Sequence, residues 1–173
     1  MEILVEFAKL LLPAAAVLYA MYLTTKSFLD REMTQKMVDI KLKNTDTVLP
    51  IRLQAYERIC LFLERITPNN LIIRLNQGNF SSREFQQVLL SEIRQEYNHN
   101  ISQQVYVSDE AWEFVVSAKE GIISTINQAA EAVENDAKSI DLAKKIFEIT
   151  MEKKTDPTAH ALAKVKEEIR HFF

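Results

Sequence analysis

The sequence predicts an all-α protein, with a single N-terminal transmembrane helix followed by a compact multi-helix bundle. Three observations predict it. Only 2 Gly and 4 Pro occur in 173 residues, too few for the tight turns of a sandwich or barrel. Past residue 28, apolar side chains recur every three or four positions, the period of an amphipathic helix. Near the start, no charged residue occurs from Leu10 to Thr25. With 47% hydrophobic and 26% charged residues, the chain is neither a disordered tail nor a multi-span transporter.

The opening segment reads as the anchor, residues 1–26. Ile3–Thr25 is long enough as a helix to cross about 30 Å of hydrocarbon, with Lys9 and Lys26 able to snorkel at its ends. Leu10, Leu11, Leu12, Val17, Leu18, Tyr19, Met21 and Leu23 form its membrane-spanning body. Pro13 falls near the start, where a missing N–H is tolerable, and Tyr19 and Tyr22 lie toward the other interface. A cleaved signal peptide fits less well: the chain opens Met1-Glu2-Ile3-Leu4-Val5-Glu6, without a basic n-region, and no small-x-small site follows the apolar run. A buried core helix is the other alternative, since the strictly uncharged run is short. Lys26, Arg31, Lys36, Lys41 and Lys43 crowd the C-terminal side, which favours a short N-terminus outside and the rest of the chain in the cytoplasm. Cys60 is the only cysteine, which excludes an intrachain disulfide and agrees with a reducing compartment.

Residues 27–49 read as a juxtamembrane helix and linker. Leu29, Met33, Met37 and Ile40 form its stripe, and Asn44-Thr45-Asp46-Thr47 the break. Pro50 opens the cytoplasmic helical domain, 50–173, in the first turn of a helix running to Ile66. Its apolar face is Leu53, Tyr56, Ile59, Cys60, Phe62, Leu63 and Ile66. Thr67-Pro68 starts a short helix that Gly78 ends at the C′ position. Ser81 and Glu84 form a capping box for a helix presenting Phe85, Val88, Leu89, Ile93 and Tyr97, with Asn98–Asn100 fraying its end. Ile101–Val107 stays open between helix and extended connector.

Ser108 caps the longest helix of this domain, with Asp109 and Glu110 in the first turn. Its seam is Trp112, Val115, Lys119, Ile122, Ile126, Ala129 and Val133, a 3-4 repeat interrupted only by Lys119 and suited to bundle packing. Ile140, Ala143, Phe147 and Met151 mark the next helix. Thr155-Asp156-Pro157 opens the last, with the stripe Leu162, Val165, Ile169 and Phe172.

Composition narrows the function classes. Net charge is −3, with the acidic excess between residues 67 and 135, so the basic face that nucleic acid requires is missing. Neither Gly78 nor Gly121 has a glycine at phosphate-loop spacing. One constellation invites a test: Glu96-x-x-His99 and Glu168-x-x-His171 repeat the spacing that puts a carboxylate and an imidazole on one helix face, as in di-metal carboxylate bundles. Glu57 or Glu64 could add a further ligand. Against it, His99 sits in a C-cap and His171 near the end of the chain, where the helix dipole alone stabilises an imidazole. Cys60 lies in an apolar face and reads as a small hydrophobe. His160 has no motif context.

The runs Leu53-Gln54-Ala55-Tyr56-Glu57-Arg58 through Ile66-Thr67-Pro68, and Glu96-Tyr97-Asn98-His99-Asn100 through Val107-Ser108-Asp109-Glu110-Ala111-Trp112, resemble a family of uncharacterised, N-terminally membrane-anchored helical proteins found in Bacteroidota. The resemblance covers most of the chain. It implies the anchor-plus-helical-domain layout and no activity, so it assigns no catalytic residue and no cofactor.

The expected function is therefore interaction: a scaffold or regulator, not an enzyme, in the bacterial cytoplasmic membrane. Its partners are the lipid bilayer and a protein, with room for a homo-oligomer and no nucleic acid. The alternative is a di-metal carboxylate bundle using Glu96, His99, Glu168 and His171.

Overall fold

A computed structural model describes residues 2–76, 78–153 and 156–171, with the backbone alone at 2–8, 10, 40–42 and 44–46. The fold is all-α. Helices α1 (Glu2–Arg65), α2 (Pro68–Leu75) and α3 (Ser82–Asn100) are followed by a 3-10 helix (Ile101–Tyr106), then α4 (Asp109–Glu131), α5 (Ser139–Glu152) and α6 (Pro157–Arg170). The chain divides into two compact units, Met1–Leu49 and Pro50–Phe173.

In the first unit, α1 runs through Asn44–Thr47, where the sequence suggested a linker. Threonine is a poor helix former chiefly because β-branching costs it side-chain freedom, and its hydroxyl can also compete for backbone groups. Here those hydroxyls bond within the helix: Thr24 to the Ala20 carbonyl at 2.8 Å, Thr34 to Asp30 at 2.8 Å and Thr47 to Lys43 at 3.0 Å. Pro50 consequently lies in the interior of α1 and not at a new N-terminus. Having no N–H, it leaves the Asp46 carbonyl without its helical donor.

Of the residues expected to span a membrane, Leu11, Leu12, Val17, Leu18, Tyr19, Met21 and Leu23 are exposed; the Leu10 side chain lies outside the described residues. Among the described residues no helix is long and apolar enough to cross a membrane, so the expected span finds no support in the fold. The physical reason is dilution: Pro13, Tyr19, Tyr22, Thr24 and Thr25 interrupt the apolar run before Lys26 ends it. The side chains of Ile3–Ala8, which belong to the same expectation, also lie outside the described residues.

The second unit is built around one apolar cluster. Tyr56, Ile59, Phe62 and Leu63 of α1 meet Phe85, Leu89 and Ile93 of α3, with Val115, Ile122 and Ile126 of α4 packed among them. Helix α4 is the central element; it packs most extensively along α6 and also against α3 and α5. Gly121 makes the α4–α6 approach possible, since a Cβ there would sit 3.2 Å from Pro157 Cγ.

Local capping fixes the helix ends. The Ser81–Glu84 box is complete, with Glu84 Oε2 accepting from the Ser81 N–H at 2.9 Å and Ser81 Oγ accepting from the Glu84 N–H at 3.3 Å. Ser108 Oγ accepts from the Ala111 N–H at 3.1 Å. Asp156 caps α6, accepting from the Thr158 N–H at 2.8 Å and the Ala159 N–H at 3.3 Å; Thr155 lies outside the described residues. Thr67 occupies the N-cap of α2 without a side-chain capping bond, because its hydroxyl turns back to the Glu64 carbonyl at 2.8 Å.

Several expectations shift in detail. Gly78 does adopt positive φ, at 78°, but Asn76 is the C-cap and the glycine follows two residues later in a turn closed by its N–H to Asn76 Oδ1 at 3.0 Å. Helix α3 continues to Asn100 without a frayed end. Its Asn100 amide donates to the Glu96 carbonyl at 2.8 Å, and Ile101–Tyr106 tightens into the 3-10 helix. In α5 the buried face is Leu142, Ala143, Ile146 and Ile149. Of the expected stripe, Ala143 is in that face and Phe147 packs partly buried against the core. Ile140 and Met151 are 46% and 86% exposed, because the bundle covers the side of the helix that carries Leu142, Ile146 and Ile149. Phe172 lies outside the described residues. An isolated antiparallel bridge joins Ser81 to Lys138, with Ser82 N–H donating to the Ala137 carbonyl at 2.7 Å and Ser139 N–H to Phe80 at 3.0 Å. Two extended connectors thus pair where the sequence showed only helix.

Candidate functional site

The residues with chemical potential in the second unit gather into two polar nodes and one aromatic one. The first node is centred on Glu168 of α6. Its Oε1 accepts from the Tyr56 hydroxyl at 2.5 Å and the Ser108 N–H at 2.9 Å, while Oε2 accepts from the Ser108 hydroxyl at 2.5 Å. Arg52 Nη2 stands 3.9 Å from Oε1 and donates to the Tyr56 hydroxyl at 3.3 Å; its Nε donates to the Tyr106 carbonyl at 2.9 Å. One carboxylate therefore ties α1, the N-terminus of α4 and α6, and one guanidinium ties α1 to the 3-10 helix.

Electrostatics follow from this packing. Burial pushes the Glu168 carboxyl up, but the Ser108 hydroxyl, Tyr56, the Ser108 N–H and Arg52 outweigh it and hold the group below the usual carboxylate value. Burial, then the bond and the negative charge of Glu168, push the Tyr56 hydroxyl up to about 12. Cys60 moves up as well, chiefly through burial. All three move away from neutrality. A general acid or base works best with a pKa near the operating pH, and these groups are tuned the other way.

The second node pairs arginines of α1 and α2 with carboxylates of α3. Arg65 Nε donates to Glu96 Oε1 at 2.6 Å, and Arg74 Nη1 lies 2.6 Å from Glu92 Oε1 and 3.6 Å from Glu96 Oε1. Each carboxylate faces both cations, since Arg65 Nη2 also stands 3.9 Å from Glu92. Shared pairs of this kind fix the orientation of α2, although partly exposed ion pairs contribute little to net stability.

The two Glu-x-x-His motifs are thus drawn into different partnerships. Glu96 belongs to the arginine node and Glu168 to the tyrosine–serine node. His99 is exposed, and His171 Nδ1 lies 2.8 Å from the Glu167 carbonyl of its own last turn. Glu57 and Glu64 are exposed on α1. Among the described residues no group of three or more His, Cys, Asp or Glu could hold a metal ion. His160 makes an edge contact with Phe114, centroids 5.0 Å apart. Cys60 is half-buried beside the core.

The aromatic node explains the charged residue in the α4 seam. Trp112 stacks on Tyr97 at 5.9 Å, Tyr97 meets Phe62 at 6.0 Å, and Lys119 Nζ sits 4.1 Å from the Tyr97 centroid. Lys119 thus occupies its seam position as a cation over an aromatic face. Trp112 is only partly buried against the core, because Ala111 and Val115 hold the inward positions of that turn.

Long-range partners escaped the sequence reading. The 56–168 and 108–168 contacts have no local signature beyond the capping position of Ser108 and the one-turn spacing of Arg52 and Tyr56. A family model described as a family of unknown function (DUF7935) matches residues 2–172. No curated protein and no solved structure matches the chain.

Proposed function

The chain belongs to the DUF7935 family, and we propose that this member is a membrane-tethered helical interaction module whose second unit binds a protein partner in the bacterial cytoplasm. The observation that carries the reading is the exposure of apolar side chains around the whole circumference of α1 between Leu11 and Leu23. Leu12 is 70% exposed, Val17 66% and Leu18 67%, and these three positions lie about 100° or more apart around a helix of 3.6 residues per turn. A helix that is apolar all round is one that something covers. A bilayer offers that cover without requiring a matching protein surface. The second unit adds support for binding over catalysis, because its shifted groups are held in structural bonds and tuned away from neutral pH.

Membrane fractionation tests the tether. The full-length protein should pellet with membranes and resist carbonate extraction, and a reporter active only in the periplasm should stay silent when fused after Phe173. Recovery in the carbonate supernatant would overturn the tether; a strong reporter signal would place the second unit outside.

A further inference from the structure

We infer that the trough between α1 and the 3-10 helix binds a peptide segment of a partner protein carrying an acidic side chain beside an apolar one; the inference rests on the interaction reading above. The trough has a volume of about 430 Å³ and lies wholly within the second unit. Arg58 and Gln54 line one wall, and Gln103, Val105 and Tyr106 line the other, with Ile51 at one end.

Arg58 is the only charged group in this lining, and it stands apart from its neighbours. Arg52 faces Glu168, and Arg65 and Arg74 face Glu92 and Glu96. Arg58 has no ion pair among the described residues. Its nearest acid in sequence, Glu57, points elsewhere, because adjacent helical residues do not face each other. One turn back on the same face stands Gln54, so the wall offers a guanidinium and a carboxamide side by side. A guanidinium fork binds a carboxylate through two parallel N–H donors. The apolar half of the trough is just as distinct. Val105 is 77% exposed and Ile51 43%, and no charge interrupts Asn100–Ser108.

The site is also held in shape. Arg52 Nε fixes the Tyr106 carbonyl at 2.9 Å, and Glu168 fixes Ser108 just beyond it through both N–H and hydroxyl. A wall set in advance lowers the ordering cost of binding. Pockets for small molecules enclose most of the ligand surface. Here Gln54, Arg58 and Val105 all stay exposed, which suits a segment of a larger chain laid across the surface.

The test uses full-length protein in detergent micelles with methyl-labelled valine. The probe is N-acetyl-Leu-Glu-Leu-amide, with N-acetyl-Leu-Gln-Leu-amide as its uncharged match. Both partition into micelles, so the difference between them reports the carboxylate. The Glu peptide should shift the Val105 methyl signals saturably, and the Gln peptide should bind about tenfold more weakly. Arg58→Gln should remove that preference, with an unchanged melting temperature showing an intact fold, while Arg83→Gln on α3 leaves it intact. Absence of a saturable shift, or a Glu preference undiminished in Arg58→Gln, would overturn the inference. Decanoate displacing the peptide with equal, Arg58-dependent affinity would overturn it in favour of a small anionic amphiphile. Membrane fractionation is independent of all these readouts, so loss of the tether and loss of the trough are told apart.

Discussion

Glu168 holds Ser108 at two points, through the N–H at 2.9 Å and the hydroxyl at 2.5 Å, while the same hydroxyl oxygen accepts from Ala111 and caps α4. The last helix thereby orients the cap of the central one. Removing the Glu168 charge should weaken the cap as well as the bonds. Glu168→Gln is expected to cost about 2 kcal/mol, the scale of lost hydrogen bonds to a charged group. Ser108→Ala should cost about as much, and the double variant less than the sum, since both remove one network. Urea denaturation of the three variants measures it.

The acid limb of stability should carry the same signature. Because the folded Glu168 carboxyl lies below its usual value, its contribution is complete above the unfolded carboxylate pKa. It disappears as pH falls through the depressed value. Wild type should lose stability on acidification faster than Glu168→Gln.

Tyr56 produces the opposite limb. Its hydroxyl ionises at about 12 in the folded protein against an ordinary value of 10.0, so the unfolded chain gives up its proton first. The contribution is complete below the ordinary value and is lost as pH rises through the folded one. Tyr56→Phe should flatten this alkaline loss. An identical alkaline slope in wild type and variant would remove Tyr56 from the account.

Within the α4 seam, burial sets the ranking. Ile122 is buried in the cluster and Trp112 only partly so, so Ile122→Ala should cost about 2–5 kcal/mol. Trp112→Ala should fall below the roughly 3–5 kcal/mol of a fully buried aromatic, near 2 kcal/mol. Thermal melts of both variants check the order.

Gly121 gives a test of close approach. Gly121→Val would press a branched side chain onto Pro157, already 3.2 Å from a Cβ at that position, and should cost about 1–3 kcal/mol. Gly121→Ala should be nearly neutral, because its helix propensity gain of about 1 kcal/mol offsets the crowding. Replacing Pro157 with Ala should relieve much of the valine penalty.

What the sequence disclosed was whatever its physics makes local. Ser81 and Glu84 lie one turn apart, and both capping bonds form between them, so four residues suffice to read them. Of the expected α5 stripe, Ala143 is buried and Phe147 packs against the core, but Ile140 and Met151 at its ends stay exposed. Leu142, Ile146 and Ile149 satisfy helical spacing equally well, and only tertiary packing chooses which side faces inward. The break proposed at Asn44–Thr47 rests on intrinsic propensity, a weak prior that propagation of a long helix overrides, with the Thr47 hydroxyl accommodated on the Lys43 carbonyl. Glu168 looked like half of a metal motif because its neighbour His171 is visible in sequence, whereas its true partners are 60 and 112 residues away.

That last separation bears on how the protein is made. Tyr56 is synthesised 112 residues before the carboxylate that accepts its proton bond, and contacts this remote form slowly because the intervening chain must first be gathered in. Until α6 emerges from the ribosome, the cap of α4 lacks its orienting partner and the apolar flank of α4 that α6 covers stays open to solvent. The nascent second unit consequently carries uncovered apolar surface for most of its translation, and that interval ends only once the segment containing Glu168 has been added.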